Sequence, residues 1–266
     1  MASGWWKAIP KAIPIAAAVA VVAVGAALGF GRAEPPVVPG SVTLTAAAPK
    51  AASIRGAWAA SKPATPTSFT VADATVDLVH VFESPGVPLA ARPTLANPTW
   101  ERLPVVFLVL EDKGEWLHVR VSSRPNDLTG WVQRSEVRLR EVPNHVLVEV
   151  GARRVTVFHG DEVLLREPIA VGIDRTPTPT GNFFVDGVVK VSNAGGAYGP
   201  FQVSVSGFSN VLQSFGGGVG QIAMHGTNHP EKIGQAVSNG CIRMNNDVIT
   251  RMVGLAPLGT PVDVVA

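Results

Sequence analysis

One cysteine, Cys241, occurs in this chain of 266 residues, inside the run MHGTNHPEKIGQAVSNGCIRM that spans 224–244. A free thiol has a pKa of about 8.5 and is a poor nucleophile at neutral pH, because most of it is protonated. An imidazole within hydrogen-bond reach can take the proton and leave a thiolate–imidazolium pair. His225 and His229 are the nearby candidates, and His225 stands sixteen positions before Cys241. His225 follows the apolar run QIAM and is expected at the end of a strand, a fixed place. His229 precedes Pro230 in a polar loop and is expected on the surface. Precise sites favour rigid elements, so His225 is read as the base.

The neighbours of Cys241 fit the same chemistry. Gly240 has no Cβ and allows unusual backbone angles and the close approach of a substrate carbonyl. The backbone N–H of Cys241 can then face the oxyanion that forms on attack. Arg243 places a fork of donors two residues on, a geometry suited to a carboxylate. Ser238 and Asn239 are short polar side chains that could orient His225 or a substrate amide. Plainer readings stand beside these. A lone cysteine serves elsewhere as a small buried apolar residue, Arg243 fits a surface charge, and Ser-Asn-Gly is an ordinary turn signal. A zinc site of His225, His229 and Cys241 would lack a clear fourth ligand or an open-site carboxylate. No metal and no cofactor is expected.

The rest of the chain supplies the setting. Hydrophobic residues make up 46% of it, enough for a core. Lys and Arg number 22 against 20 Asp and Glu, too balanced for a nucleic-acid binder, so no nucleic-acid partner is expected. Lys7 and Lys11 precede an uncharged stretch from Ala12 to Gly31. Twenty helical residues reach roughly 30 Å, the thickness of a bilayer core. Residues 1–31 are therefore expected to be a membrane anchor, or a signal segment cut after Gly31-Arg32-Ala33. Either places the remainder outside the cytoplasmic membrane, in the periplasm or cell wall, or secreted after cleavage. An unpaired thiol in such an oxidising place needs a use.

Residues 32–67 are rich in Ala, Pro, Ser and Thr and read as an extended spacer. Residues 68–141 hold short β-prone runs, such as VDLVHVFESPG and EWLHVRV, divided by turn residues. With Trp116 and the later Gly130-Trp131-Val132, this module resembles bacterial SH3-like domains of the cell envelope, small β-barrels. From Asn144 onward, strands recur, with hairpin turns expected at Gly151-Ala152 and His159-Gly160-Asp161. TPTPTG, 176–181, is a loop ending at Gly181. Only residues 245–255 have helix chemistry, with Asn246 or Asp247 as the expected cap.

HGT at 225–227, IG at 233–234, SNGCIRM at 238–244 and TPTPTG together closely resemble the signature of the L,D-transpeptidase (YkuD-like) catalytic domain. The resemblance covers about 144–266. It implies a mainly β fold, a sandwich with a short helix, following the SH3-like barrel and the N-terminal membrane segment. It also implies peptidoglycan stem peptides as partners and carbapenem-type β-lactams as inhibitors. Cys241 would attack a tetrapeptide stem between its third-position diamino acid and the terminal D-alanine. An amine of a second stem would resolve the thioester into a cross-link. The resemblance assigns Cys241 as nucleophile, His225 as base and Gly226 as the residue whose carbonyl orients the histidine. Arg243, Ser238, Asn239, Gly240 and Thr227 would contact substrate. Many members carry His where this chain has Asn239, which cannot act as acid or base. A hydrolase of the same stems and a non-catalytic wall-binding scaffold are the alternative readings.

Overall fold

The computed structural model describes residues 65–89 and 94–266. The expected membrane segment, 1–31, lies outside the described residues, as does the expected spacer except for 65–67. Among the described residues no helix is long and apolar enough to cross a membrane.

Period-two patterning builds the first sheet. In Trp116–Arg120 the inward residues Leu117 and Val119 are fully buried, while Trp116, His118 and Arg120 are half-exposed. The strands are β1 (Phe69–Ala74), β2 (Leu78–His80), β3 (Phe82–Ser84), β4 (Val87–Pro88), β5 (Thr94–Ala96), β6 (Val106–Asp112), β7 (Trp116–Arg120), β8 (Thr129–Gln133) and β9 (Val137–Val142). Seven of them form one antiparallel sheet in the order β4-β3-β8-β7-β6-β1-β9, and β2 pairs with β5 separately. Val79, Val81, Phe107, Leu117, Val119 and Val132 centre its core.

A second sheet begins at once. Its strands are β10 (His145–Glu149), β11 (Arg154–His159), β12 (Glu162–Pro168), β14 (Gly181–Lys190), β15 (Phe201–Phe208), β16 (Gln221–His225), β18 (Ile242–Arg243) and β19 (Pro261–Val265). Their order is β12-β11-β10-β19-β14-β15-β16-β18. The last strand in sequence thus lies mid-sheet, parallel to β10 and antiparallel to β14. A small parallel pair joins β13 (Val171–Gly172) to β17 (Ala236–Ser238). The α-helix α1 (Asn246–Leu255) packs on β15 and β16 through buried Val248, Ile249 and Met252. Among the described residues it is the single α-helix, so the fold is mainly β. Its cap differs from expectation. Asn245 is the N-cap and makes no side-chain cap bond, while Asn246, an expected cap, accepts at its Oδ1 from the Thr227 N–H at 2.8 Å.

The two sheets share an apolar seam. Val71, Val106, Leu108 and Val142 of the first meet Phe184 of β14 in one buried cluster, flanked by Phe69 and Leu258. Arg140 adds a bond from Nη2 to the Leu258 carbonyl at 2.9 Å.

Candidate active site

Cys241 and His225 are brought together by strand register. β16 and β18 run parallel, with Met224 opposite Ile242 and His225 opposite Arg243. Alternation sends Met224 and Ile242 into the core, where both are fully buried. His225, Arg243 and, one step before β18, Cys241 therefore share the other face. That face opens on a cavity of about 180 Å³, whose walls include Cys241, His225, Arg243, Asn239, Tyr198 and Phe215. Cys241 is half-buried there.

The turn that delivers the thiol is held from within the same domain, by β17 and by the loop after β13. Gly240 has φ +117°, a left-handed backbone that other residues adopt only with strain. The Ser238 hydroxyl donates to the Cys241 carbonyl at 2.6 Å and accepts from the Gly240 N–H at 3.1 Å. Thr178 donates to the Gly240 carbonyl and accepts from the Gly172 N–H, each at 2.9 Å. These buried threonine and serine oxygens satisfy backbone groups that a tight turn leaves unpaired. TPTPTG is thus a brace for the turn before the cysteine.

His225 is 3% exposed, and its Nδ1 lies 2.6 Å from the Gly226 carbonyl. In the neutral ring Nδ1–H donates to that oxygen and leaves Nε2 as the acceptor. Glycine is needed at 226, since a Cβ there would lie 2.2 Å from Asn246 Oδ1. The ring of Tyr198 stands 4.8 Å from the imidazole.

Burial lowers the His225 pKa to about 4; the Gly226 carbonyl opposes this and the Arg243 charge adds to it. Burial also pushes the Cys241 thiol up, against the Ala223 backbone and Arg243, which favour the thiolate. Both directions disfavour an ion pair before substrate arrives. Both groups lose water on the covered face, which disfavours the charged form of each. Among the hydrogen bonds of the described residues none joins the thiol to His225.

The other expected residues separate into two groups. Arg243 lines the cavity, bonds Ala170 through its backbone N–H and C=O at 2.8 Å, and keeps a buried Nε without a partner. Asn239 also lines the cavity. Ser238 directs its hydroxyl to the turn and not to His225, because the adjacent backbone groups are closer claimants. Thr227 is buried outside the cavity lining, its hydroxyl accepting from the His229 N–H at 3.0 Å. His229 is exposed and pairs with Glu231 at 3.0 Å. Tyr198 and the loop residues Leu212 and Phe215 carried no signal in the motifs, whereas Thr178 lies within TPTPTG. The glycine-rich FGGGVG after Leu212 was the one available hint.

The model of the YkuD family, L,D-transpeptidase catalytic domain, matches residues 143–264. YqjB of Bacillus subtilis, named for an inferred L,D-transpeptidase activity, is 32% identical over 128 residues, which cover 44% of this chain and 69% of that protein. The chain belongs to the L,D-transpeptidase family. YkuD of the same organism, named in the same way, is 37% identical over 123 residues, 46% of this chain and 66% of the relative, just under two thirds of its length. Among solved structures, the L,D-transpeptidase LdtMt1 in complex with imipenem is 17% identical and covers 60% of this chain and 90% of that one, with a TM-score of 0.41. Membership places the family's catalytic domain on the second sheet, where Cys241 and His225 stand.

Proposed function

We propose that the protein is a peptidoglycan L,D-transpeptidase that works through a Cys241 thioester. The observation that carries this reading is the shared face of β16 and β18: the thiol of Cys241, the imidazole of His225 and the side chain of Arg243 line one cavity. The Cys241 sulfur attacks the carbonyl of the third residue of a tetrapeptide stem. Its proton passes to Nε2 of His225, which the Gly226 carbonyl holds in the right tautomer. The Cys241 N–H faces the oxyanion. The C–N bond breaks, the proton goes to the leaving nitrogen, and D-alanine departs. An amine on a second stem attacks the thioester, gives its proton to His225, and the new amide forms as the thiol is restored. With a low imidazole pKa, His225 is neutral and ready as a base at any physiological pH.

Arg243 holds a carboxylate of the donor stem through its free donors. Asn239 lines the site without proton chemistry, and Gly240 lets the substrate carbonyl approach. Ser238 lines the cavity while its hydroxyl holds the turn, and Thr227 acts behind it, on the loop after His225. A strained β-lactam such as a carbapenem would acylate the same sulfur, consistent with the family relationship. The chain before residue 68 is read as a membrane-bound or exported leader with a spacer, the 68–141 module as SH3-like, and the active site as lying outside the cytoplasmic membrane.

The direct test supplies purified tetrapeptide stems with an acceptor and follows products by mass spectrometry. A dimer lighter by one D-alanine is expected, and Cys241→Ala should make none. Free tripeptide as the sole product would assign hydrolysis instead, and no reaction with stems or carbapenem would assign a scaffold.

A further inference from the structure

The loop 209–220 forms one wall of the cavity, through Ser209, Leu212, Phe215 and Gly220. It connects β15 to β16 and has a closed neck, where the Ser209 N–H donates to the Gly220 carbonyl at 2.8 Å. The Ser209 hydroxyl accepts from the N–H groups of Val211 and Leu212 at 3.3 and 3.0 Å. Its tip is a tight turn in which Phe215 and Gly218 exchange backbone bonds at 3.0 Å. Gly216 and Gly217 both have positive φ, and the loop exposes Val211, Phe215 and Val219. Such a glycine-rich, apolar loop has few contacts of its own to fix it.

The contacts that fix it come from the other sheet. Arg124, in the segment between β7 and β8, donates from Nη1 to the Ser209 carbonyl at 2.7 Å. Its Nη2 donates to the carbonyls of Leu212 at 3.0 Å and Val219 at 3.1 Å. One guanidinium thus ties both arms of the loop. Its carbon lies 5.1 Å from the centre of the Phe208 ring, just before the loop. Asn126 pins the same end, since its side chain exchanges two 2.8 Å bonds with the Phe208 backbone. Among the described residues Arg124 forms no salt bridge, so its donors are directed to these carbonyls.

We infer that Arg124 is a positioning residue for the active site: from the 68–141 module it latches the 209–220 loop so that Leu212 and Phe215 stand as the apolar wall against the donor stem. The planar fork of arginine suits three carbonyls spread over two arms; the point charge of lysine does not span them. The first module then acts in catalysis without touching the reacting atoms. This rests on the transpeptidase reading for its substrate, but the latch is readable without it.

Two variants attack the latch from opposite sides. Arg124→Ala removes the fork. Gly220→Ala leaves the first module intact but builds a Cβ about 2.2 Å from the Leu212 carbonyl and 3.0 Å from Arg124 Nη2, where Gly220 has φ +73°. Both are expected to raise the donor KM by roughly tenfold, the scale of one lost charge-assisted hydrogen bond, with a much smaller change in kcat. Arg124→Lys should recover part of the loss. Amides of the 209–220 loop should exchange faster with deuterium in both variants, while alkylation of Cys241 by iodoacetamide should not slow. Arg134→Ala, an exposed site of the same module, should change none of these readings. An unchanged donor KM in both variants overturns the inference, as does loop exchange equal to wild type. Should Arg124→Ala fail to fold, Gly220→Ala and Arg124→Lys decide by the same readings. A wild-type protein that acylates with neither stem nor carbapenem sinks the transpeptidase reading, and loop exchange then still decides the latch.

Discussion

The turn at 238–241 and the loop at 209–220 wall the same cavity, yet they are held in opposite ways. The turn is braced from within its own domain by Ser238 and Thr178, through short bonds between buried atoms. The loop is apolar and glycine-rich, and its bonds reach into another module at Arg124. The first arrangement fixes the atoms proposed to react, where small displacements matter most. The second governs the wall that a substrate must pass and touch. A rigid centre and a remotely tied rim allow chemistry and substrate fit to be tuned by different parts of the chain.

Loss of the thiol tests the rigid side with the largest effect. Cys241→Ala is expected to abolish both transfer and the carbapenem adduct on intact protein, while deuterium uptake in 209–220 stays as in wild type. A persisting adduct would place the nucleophile elsewhere.

Next comes the pH dependence of His225. Its folded pKa of about 4 lies below the ordinary 6.5, so between these values the unfolded chain binds the extra proton. Stability should be complete above pH 6.5 and fall as pH drops toward 4, by on the order of 3 kcal/mol from this group. Urea unfolding across that window should show the fall, and His225→Gln should flatten it. An equal fall in the variant would assign the pH dependence to other groups.

Thr178→Val is a smaller perturbation of the turn. It strips a donor from the Gly240 carbonyl and an acceptor from the Gly172 N–H, both interior, and should destabilise by about 2 kcal/mol. Acylation of Cys241 should slow with loop exchange unchanged, opposite to the Arg124 pattern. Were Thr178→Val to loosen the loop instead, the division between the two walls would fail. The smallest effect is expected from Arg134→Ala, which breaks an exposed pair with Asp112 and should leave transfer and melting temperature within error.

The thiol and the imidazole of the proposed pair were legible in the sequence because the logic there is local. His225 ends an apolar run and Cys241 follows a glycine, so strand end and turn were both legible. Alternation in 116–121 and the hairpins around 151 and 160 were legible for the same reason. The helix cap was misread because Asn246 answers to Thr227, nineteen residues away. Ser238 was read as orienting His225 or a substrate amide, and its bonds to the turn were not legible because proximity in sequence does not say which backbone groups a turn leaves unpaired. The burial of the thiol and the imidazole, which disfavours the charged form of each, was invisible in the sequence.

By itself the sequence determined the chemical kit: one thiol, one strand-end imidazole, a glycine that permits the turn between them, and an arginine two residues on. These follow from side-chain chemistry and short-range periodicity, which travel with the chain. Only the tertiary structure decided that Thr178 braces the turn, that Tyr198 flanks the imidazole and that Arg124 reaches the loop from another sheet. Those contacts join positions 27 to 95 residues apart, and no local pattern specifies them. They exist because burial forces each polar group to find a partner wherever the fold brings one within reach.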